Sequence, residues 1–366
     1  MEFIDLRQQQ KFIYNDLHTK INEVLEHGKY INGPEVKELE EKLANFVGVK
    51  HAVGVSNGTD ALVLSLMALG VKQGDKVITS PFTFFASAES ISLIGATPVF
   101  VDIDPHTYNL DVDKLKVLLK AHPGGIKGII PVDIFGQPAD YNEIERLAKQ
   151  HNLFVLEDAA QSFGASYKNK KTCSFGDIAT TSFFPAKPLG CYGDGGMIFT
   201  DSDEYSEIIR SLKVHGKGRD KYDNVRIGTN ARLDTIQAAI LLAKMELFPG
   251  EIDLRQEAAK RYNDLLNDSV EIPFVEDYNI SAWAQYSIQA PNRDELIQKL
   301  KKADIPTAIY YPKPLHLLTA FKDLGYKAGD FPISEAVSKR IFSLPMHPYL
   351  KHDDQIKISE IIRSVK

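Results

Sequence analysis

Thr180-Thr-Ser-Phe-Phe-Pro-Ala-Lys-Pro-Leu-Gly-Cys-Tyr-Gly-Asp-Gly-Gly196, continued by Met197-Ile-Phe-Thr200, is the stretch on which the reading of the fold turns. A glycine-rich loop that opened a helix after its strand would point to a dinucleotide-binding crossover. Here a second apolar, strand-like run follows the glycines, so the stretch reads as strand–loop–strand. Lys187 sits between Pro185 and Pro188, which fix the backbone φ on either side. The glycines let the loop pass close to a bound group. Taken by itself, Lys187 also reads as an ordinary solvated loop lysine. A lysine that must reach one fixed atom needs this much constraint; a surface lysine does not.

Upstream of this stretch the chain alternates. Strands are expected at Lys76–Ser80, Thr97–Asp102, Gly128–Val132 and Leu153–Glu157, with a further one at His51–Ser56. Several are nearly continuous apolar runs, as a parallel sheet covered on both faces requires. Helices fit between them at Ala61–Leu69, Phe85–Ile94, Asp113–Leu119 and Tyr141–His151, and residues 10 to 47 read as helical with a break at Tyr30–Pro34. This alternation predicts an α/β layered domain with a mostly parallel sheet. Downstream, Arg232–Leu247 reads as a long helix, Phe248-Pro-Gly250 as its interruption and Glu251–Leu266 as the next helix. The expected division is a large α/β domain over 1–248 and a smaller α+β domain over 249–366. In the second, a strand is expected at Ala284–Gln289 and helices at Arg293–Ala303 and Asp353–Val365.

Composition sets the outer limits. With 366 residues, 43% hydrophobic and 25% charged, the chain has the make-up of a globular protein large enough for two domains. A net charge of −6 gives no reason to expect nucleic acid or an anionic membrane as partner. Cys173 and Cys191 make neither a disulfide framework nor a zinc site, and no metal is expected. Without a leader-like N-terminus or a membrane-length apolar run, a cytoplasmic location is expected.

Three features carry chemistry. Asn57-Gly-Thr-Asp60 feeds an apolar helix, and the free N–H groups of a helix N-terminus make a ready anion site. A plain N-cap by Thr59 or Asp60 is the other reading. Glu157 and Asp158 stand where an apolar strand ends, the place where ligands of open α/β sheets bind. An acid there could face a cofactor, bind a metal or cap the next element. Lys187 is the third. Together they fit pyridoxal 5′-phosphate (PLP). A lysine amine forms a Schiff base with its aldehyde, a carboxylate holds a proton on its pyridine nitrogen, and a helix N-terminus takes its phosphate.

At this point the sequence resembles the DegT/DnrJ/StrS-type nucleotide-sugar aminotransferases, a branch of the fold-type I PLP enzymes. The resemblance covers nearly the whole chain and rests on eight segments. They are Gly33-Pro-Glu-Val36, Ser56-Asn-Gly-Thr-Asp-Ala-Leu62, Ser80-Pro-Phe-Thr-Phe-Phe-Ala-Ser87 and Pro131-Val-Asp-Ile-Phe-Gly-Gln137, then Glu157-Asp-Ala-Ala-Gln161, Ser182–Gly190, Gly193-Asp-Gly-Gly196 and Asn230-Ala-Arg-Leu-Asp234. It implies that Lys187 is the Schiff-base lysine and Asp158 the partner of the pyridine nitrogen. It also implies that Gln161 lies near the ring's phenolic oxygen, that Phe84 stacks on the ring, and that Gly58, Thr59, Asp60 and Ser182 cradle the phosphate. Phe84 could also be a core aromatic beside Phe82 and Phe85. Asn230 would reach the phosphate of a partner subunit, implying a homodimer with composite sites, unless it is a turn residue or helix cap. Many such enzymes carry Glu where this chain has Asp194, which keeps the charge. Relatives with His in place of the lysine act as dehydratases; Lys187 here implies transamination.

The resemblance further implies L-glutamate as amino donor, 2-oxoglutarate as its product, and pyridoxamine 5′-phosphate (PMP) as the form that aminates a UDP-linked keto-sugar. The wording of Pro185–Gly196 is most similar to enzymes that place a 3-amino group on UDP-linked 2-acetamido keto-sugar acids for surface polysaccharides such as O-antigen. A 4-aminotransferase acting on a 4-keto-6-deoxy sugar stays open, as does, more remotely, a PLP-binding regulator without turnover. Tyr310-Tyr-Pro-Lys-Pro-Leu-His316 is similar to a stretch lining the sugar-nucleotide site, which makes Tyr311 and His316 substrate candidates. Both could also be ordinary, partly buried aromatics. The basic segment Lys213–Lys221, with Arg226, could meet a pyrophosphate or a sugar carboxylate or be a solvated charged loop.

Overall fold

Side chains of a strand alternate between faces, so a strand apolar at every position needs cover on both sides. In a computed structural model describing residues 1–122, 124–220 and 222–365, the central strands have that cover. Val53, Ile130, Leu156, Ile178 and Ile198 point to one face, beneath Ala61, Leu62, Ile91 and Ile209. Ile129 and Val155 point to the other, under Leu115, Leu119, Ile144 and Leu147. Ala52, Ala179, Met197 and Phe199 share that opposite side with Leu39, Leu43, Leu241 and Leu242. Full burial of one such aliphatic side chain stabilises by about 1.5–3 kcal/mol.

The sheet has seven strands in the spatial order His51–Val55, Gly196–Thr200, Ile178–Ser182, Phe154–Asp158, Ile126–Ile130, Lys76–Thr79 and Thr97–Phe100. Gly196–Thr200 pairs antiparallel with both neighbours, while the other pairings are parallel. The expected α/β layering with a mostly parallel sheet is therefore the observed one. The reversed strand is the one that follows the lysine loop, as a strand–loop–strand demands.

Beyond the sheet, Phe248–Leu266 is one helix, and the Phe248-Pro-Gly250 interruption is instead its first turn. Proline is tolerated there because the first-turn N–H groups have no intrahelical acceptor. The preceding helix is shorter than expected, Thr235–Met245. The N-terminal helical segment starts earlier than expected, at Leu6, and holds three helices, Leu6–Phe12, Tyr14–His27 and Pro34–Val47. A separate core forms where Ala258, Tyr262 and Leu266 meet Trp283, Tyr286, Leu296, Phe342 and Ile358. Within it, Tyr286–Gln289 pairs antiparallel with Ile341–Leu344. Among the described residues no helix is long and apolar enough to cross a membrane. Cys173 and Cys191 are both buried and unpaired.

Candidate active site

Adjacent strand ends assemble the site. Phe154–Asp158 and Ile178–Ser182 lie side by side with Asp158 opposite Thr180, so Asp158 and Ser182 finish at the same edge. Strand alternation separates the two acids. Glu157, fully buried, accepts the Cys173 and Phe175 N–H groups at 2.7 and 2.8 Å and pins the turn there. Asp158 accepts the Ser87 hydroxyl at 2.7 Å and the Ala160 N–H at 3.2 Å.

Lys187 is half-buried in the loop beyond Ser182. The loop is closed by backbone bonds from Cys191 N–H to the Phe183 carbonyl and from Phe183 N–H to the Gly195 carbonyl, both 2.8 Å. Burial pushes the Lys187 amine down, with the Asp158 charge opposing it. Burial pushes the Asp158 carboxyl up, against the Ser87 and Ala160 hydrogen bonds and the Lys187 charge. Desolvation outweighs their mutual attraction on both sides.

The helix after the first strand begins at Gly58, three residues earlier than the apolar pattern predicts. Its N-cap is Asn57, whose side-chain oxygen accepts the Asp60 N–H at 2.8 Å, in place of Thr59 or Asp60. The Asp60 carboxylate is held by the Asn57 amide at 2.9 Å and by the Ser56 hydroxyl. The cap leaves the Gly58 and Thr59 N–H groups without an intrahelical acceptor. A Cβ at Gly58 would lie 2.8 Å from the Ser182 Cβ, and one at Gly196 would lie 2.5 Å from the Asn57 carbonyl oxygen. Only glycines allow the three segments to close around this helix end.

Gln161 is buried and accepts the Phe135 N–H at 2.8 Å. Its amide then donates to the Tyr311 hydroxyl at 3.2 Å, bringing a residue 150 positions away to the site. Tyr311 packs edge-on to Phe82, with ring centroids 6.1 Å apart. Phe84 is not a core aromatic: it is 56% exposed and tilted against Tyr311 at 6.5 Å.

His316 takes a different position from the one expected of a substrate contact. It is 2% exposed, its Nε2 lies 3.1 Å from Glu335, and its ring packs on Phe331. Among the described residues, no hydrogen bond or ring contact joins it to Lys187, Asp158 or Gln161. Lys213 does not belong to a solvated loop either. It is buried and donates to the Gly54 carbonyl at 2.7 Å, with Glu40 at 3.5 Å. Arg226 is exposed and donates to the Ser211 hydroxyl at 3.3 Å, and Asn230 is exposed. Lys221 lies outside the described residues. No cluster of three or more metal-ligating side chains occurs among the described residues.

The profile of the DegT/DnrJ/EryC1/StrS aminotransferase family matches residues 12–363. The chain belongs to this family. It is 50% identical to a UDP-2-acetamido-2-deoxy-3-oxo-D-glucuronate aminotransferase of Pseudomonas aeruginosa, over 96% of both chains. It is 44% identical to a protein of Geobacillus stearothermophilus named pleiotropic regulatory protein, over 98% of this chain and 96% of that one. Among solved structures, it resembles a DegT DnrJ EryC1 StrS aminotransferase from Brucella abortus, with TM-score 0.96 and 49% identity over 100% of this chain and 99% of that one. It also resembles NtdA from Bacillus subtilis, solved with bound cofactor PMP, with TM-score 0.89 and 28% identity over 99% of this chain and 83% of that one.

Proposed function

We propose that this chain is a PLP-dependent aminotransferase that moves the amino group of L-glutamate to C3 of UDP-2-acetamido-2-deoxy-3-keto-glucuronic acid. The observation that carries the chemistry is the Lys187 amine and the buried Asp158 carboxylate, each pushed towards its neutral form, beside an open helix N-terminus. A bound pyridine ring with a phosphate fits all three. The cofactor supplies an electron sink for the carbon that loses its proton. Asp158, oriented by Ser87, would hold the ring-nitrogen proton. The Gly58 and Thr59 N–H groups and the Ser182 hydroxyl take the phosphate, with Asp60 holding the cap in shape. Gln161, anchored by Phe135, would lie near the phenolic oxygen, and Phe84 would cover the ring. Lys187, with its pKa lowered by burial, carries the proton at the reacting carbon.

Identity with the Pseudomonas enzyme favours the 3-keto uronic acid over a 4-keto-6-deoxy sugar. Tyr311, linked to Gln161, would meet the sugar. Asn230, exposed in this chain, would reach the phosphate of a second copy in a homodimer, and Arg226, also exposed, would meet the pyrophosphate or the sugar carboxylate. Two buried free cysteines suit a reducing cytoplasm.

The test is a product assay. Protein loaded with PLP and glutamate is offered the 3-keto-glucuronic acid, made in situ by a dehydrogenase, and separately a UDP-linked 4-keto-6-deoxy sugar. Mass and NMR of the product locate the amine. Amination of the first substrate is expected. Amination of the second alone would move the protein to 4-amino sugars. Amination of neither, with no 2-oxoglutarate released, would favour the regulatory role named for the Geobacillus relative.

A further inference from the structure

The loop that carries Lys187 is gripped from behind by the helix Thr235–Met245. Gln237 and Lys244 stand two turns apart on one face of that helix. The Gln237 side-chain oxygen accepts the Tyr192 N–H at 3.0 Å, and the Lys244 Nζ donates to the Gly190 carbonyl at 2.6 Å. Lys244 also lies over the Tyr192 ring, 4.1 Å from its centroid. Both bonds land on the limb of the loop that follows Lys187. That limb presses on the one before it: a Cβ on Gly190 would lie 2.6 Å from the Pro185 carbonyl oxygen and 2.7 Å from that of Phe184. The Phe184 carbonyl in turn accepts the Lys187 N–H at 2.8 Å. A short chain of contacts therefore runs from the Lys244 ammonium to the backbone of Lys187.

Lys244 is 1% exposed, and burial pushes its amine down to about 8, with the Glu251 charge the main force opposing it. An ammonium in such a place costs free energy that an apolar side chain of similar length would not. Its hydrogen bond goes to the loop that presents Lys187, which points away from a purely apolar packing role. We infer that Lys244, helped by Gln237, is a positioning residue for amino transfer: it clamps the loop so that the Lys187 amine stays aligned with the atom it must reach. Neither residue needs to touch cofactor or substrate for this. A reacting group displaced by roughly 1 Å can lose about a hundredfold in rate, so a clamp behind the loop reaches the chemistry through geometry alone. The inference rests on the aminotransfer reading, in which Lys187 is the reacting amine.

The test compares the wild-type protein with Lys244→Met, which keeps an apolar stem and removes the donor, and with Gln237→Leu, at a half-buried position. Absorbance reads two rates: Schiff-base formation after saturating PLP is added to the cofactor-free protein, and the half-reaction of the PLP-loaded protein with saturating glutamate. A thermal scan reports folding. Lys244→Met is expected to slow both rates at least about tenfold. Its half-saturating glutamate should stay within about twofold of wild type and its unfolding midpoint within a few degrees. Gln237→Leu should slow both rates about threefold or more. A folded Lys244→Met with wild-type rates, or one that changes only the half-saturating glutamate, would overturn the inference. If Lys244→Met does not fold, Gln237→Leu decides: slowed rates support the clamp, and wild-type rates overturn it. A wild-type protein that forms the Schiff base yet releases no 2-oxoglutarate from glutamate would count against the aminotransfer reading. Slower Schiff-base formation in the variants would still support the clamp in that case.

Discussion

The lysine loop at 183–196 and the segment at 214–230 are both glycine-bearing connections, and they are built in opposite ways. In the first, Phe183, Leu189 and Cys191 are at most 1% exposed. Its carbonyls and amides are taken up by neighbours: Lys244 donates to the Gly190 carbonyl at 2.6 Å, and the Gln237 oxygen accepts the Tyr192 N–H at 3.0 Å. In the second, the backbone bonds mostly to itself, as from Gly218 N–H to the Asp223 carbonyl at 2.8 Å. Its apolar side chains face out, with Val225 53% and Ile227 89% exposed. The first is completed within one chain. The second leaves Val225 and Ile227 exposed, and it is this surface that the proposed second copy would cover.

The sharpest break would come at the loop. Lys187→Ala should lower amino transfer by roughly four orders of magnitude, leaving the thermal unfolding midpoint within a few degrees of wild type. A steady-state assay and a thermal scan on the same preparation check both halves.

Next in size is a mixing experiment on the composite site. Asn230→Asp sets a carboxylate against the phosphate and should be nearly inactive alone. Mixed after subunit exchange with Lys187→Ala, it should regain up to about a quarter of wild-type activity, since half the dimers are hybrid and each hybrid has one intact site. No recovery after proven exchange would mean that the two segments do not share a site.

Ile227→Asp sharpens the same contrast. It should weaken self-association at least about tenfold by sedimentation, with little change in the stability of the single chain. An unaltered sedimentation profile would assign the exposed side chains to something other than a second copy.

The smallest effect concerns pH. Burial, aided by the Arg255 charge, lowers His347 from 6.5 to about 4. The unfolded chain therefore binds the proton first as pH falls. The stabilising contribution is complete above about pH 6.5 and is lost towards pH 4, to a ceiling of about 3 kcal/mol. In urea unfolding curves, His347→Asn should lose less stability across that window than wild type does.

The sheet was readable because its signal is local. Ile178, Ile198, Ile129 and Val155 are apolar on consecutive faces, and Lys187 is bracketed by its own prolines. Asn57 was readable in principle, since an N-cap three residues before an acid is a local pattern, yet the apolar run at Ala61 drew the helix start too late. What escaped depends on distance. Tyr311 meets Gln161 across 150 positions, and Ser87 meets Asp158 across 71. Lys244 meets the Gly190 carbonyl across 54 positions. Lys213 looks solvated in a basic run, and only the fold shows the Gly54 carbonyl that it caps. The strand pairs Ser166–Tyr167 and Lys170–Lys171 are two residues each, too short for any periodicity to register.

The most direct test reads which lysine the cofactor is bonded to. The PLP-loaded protein is reduced with borohydride, digested and mapped by mass spectrometry. The account predicts phosphopyridoxyl label on the peptide bearing Lys187 and nowhere else. Label on Lys213 or Lys244 in its place, or a loaded protein that reduction leaves unlabelled, would contradict it.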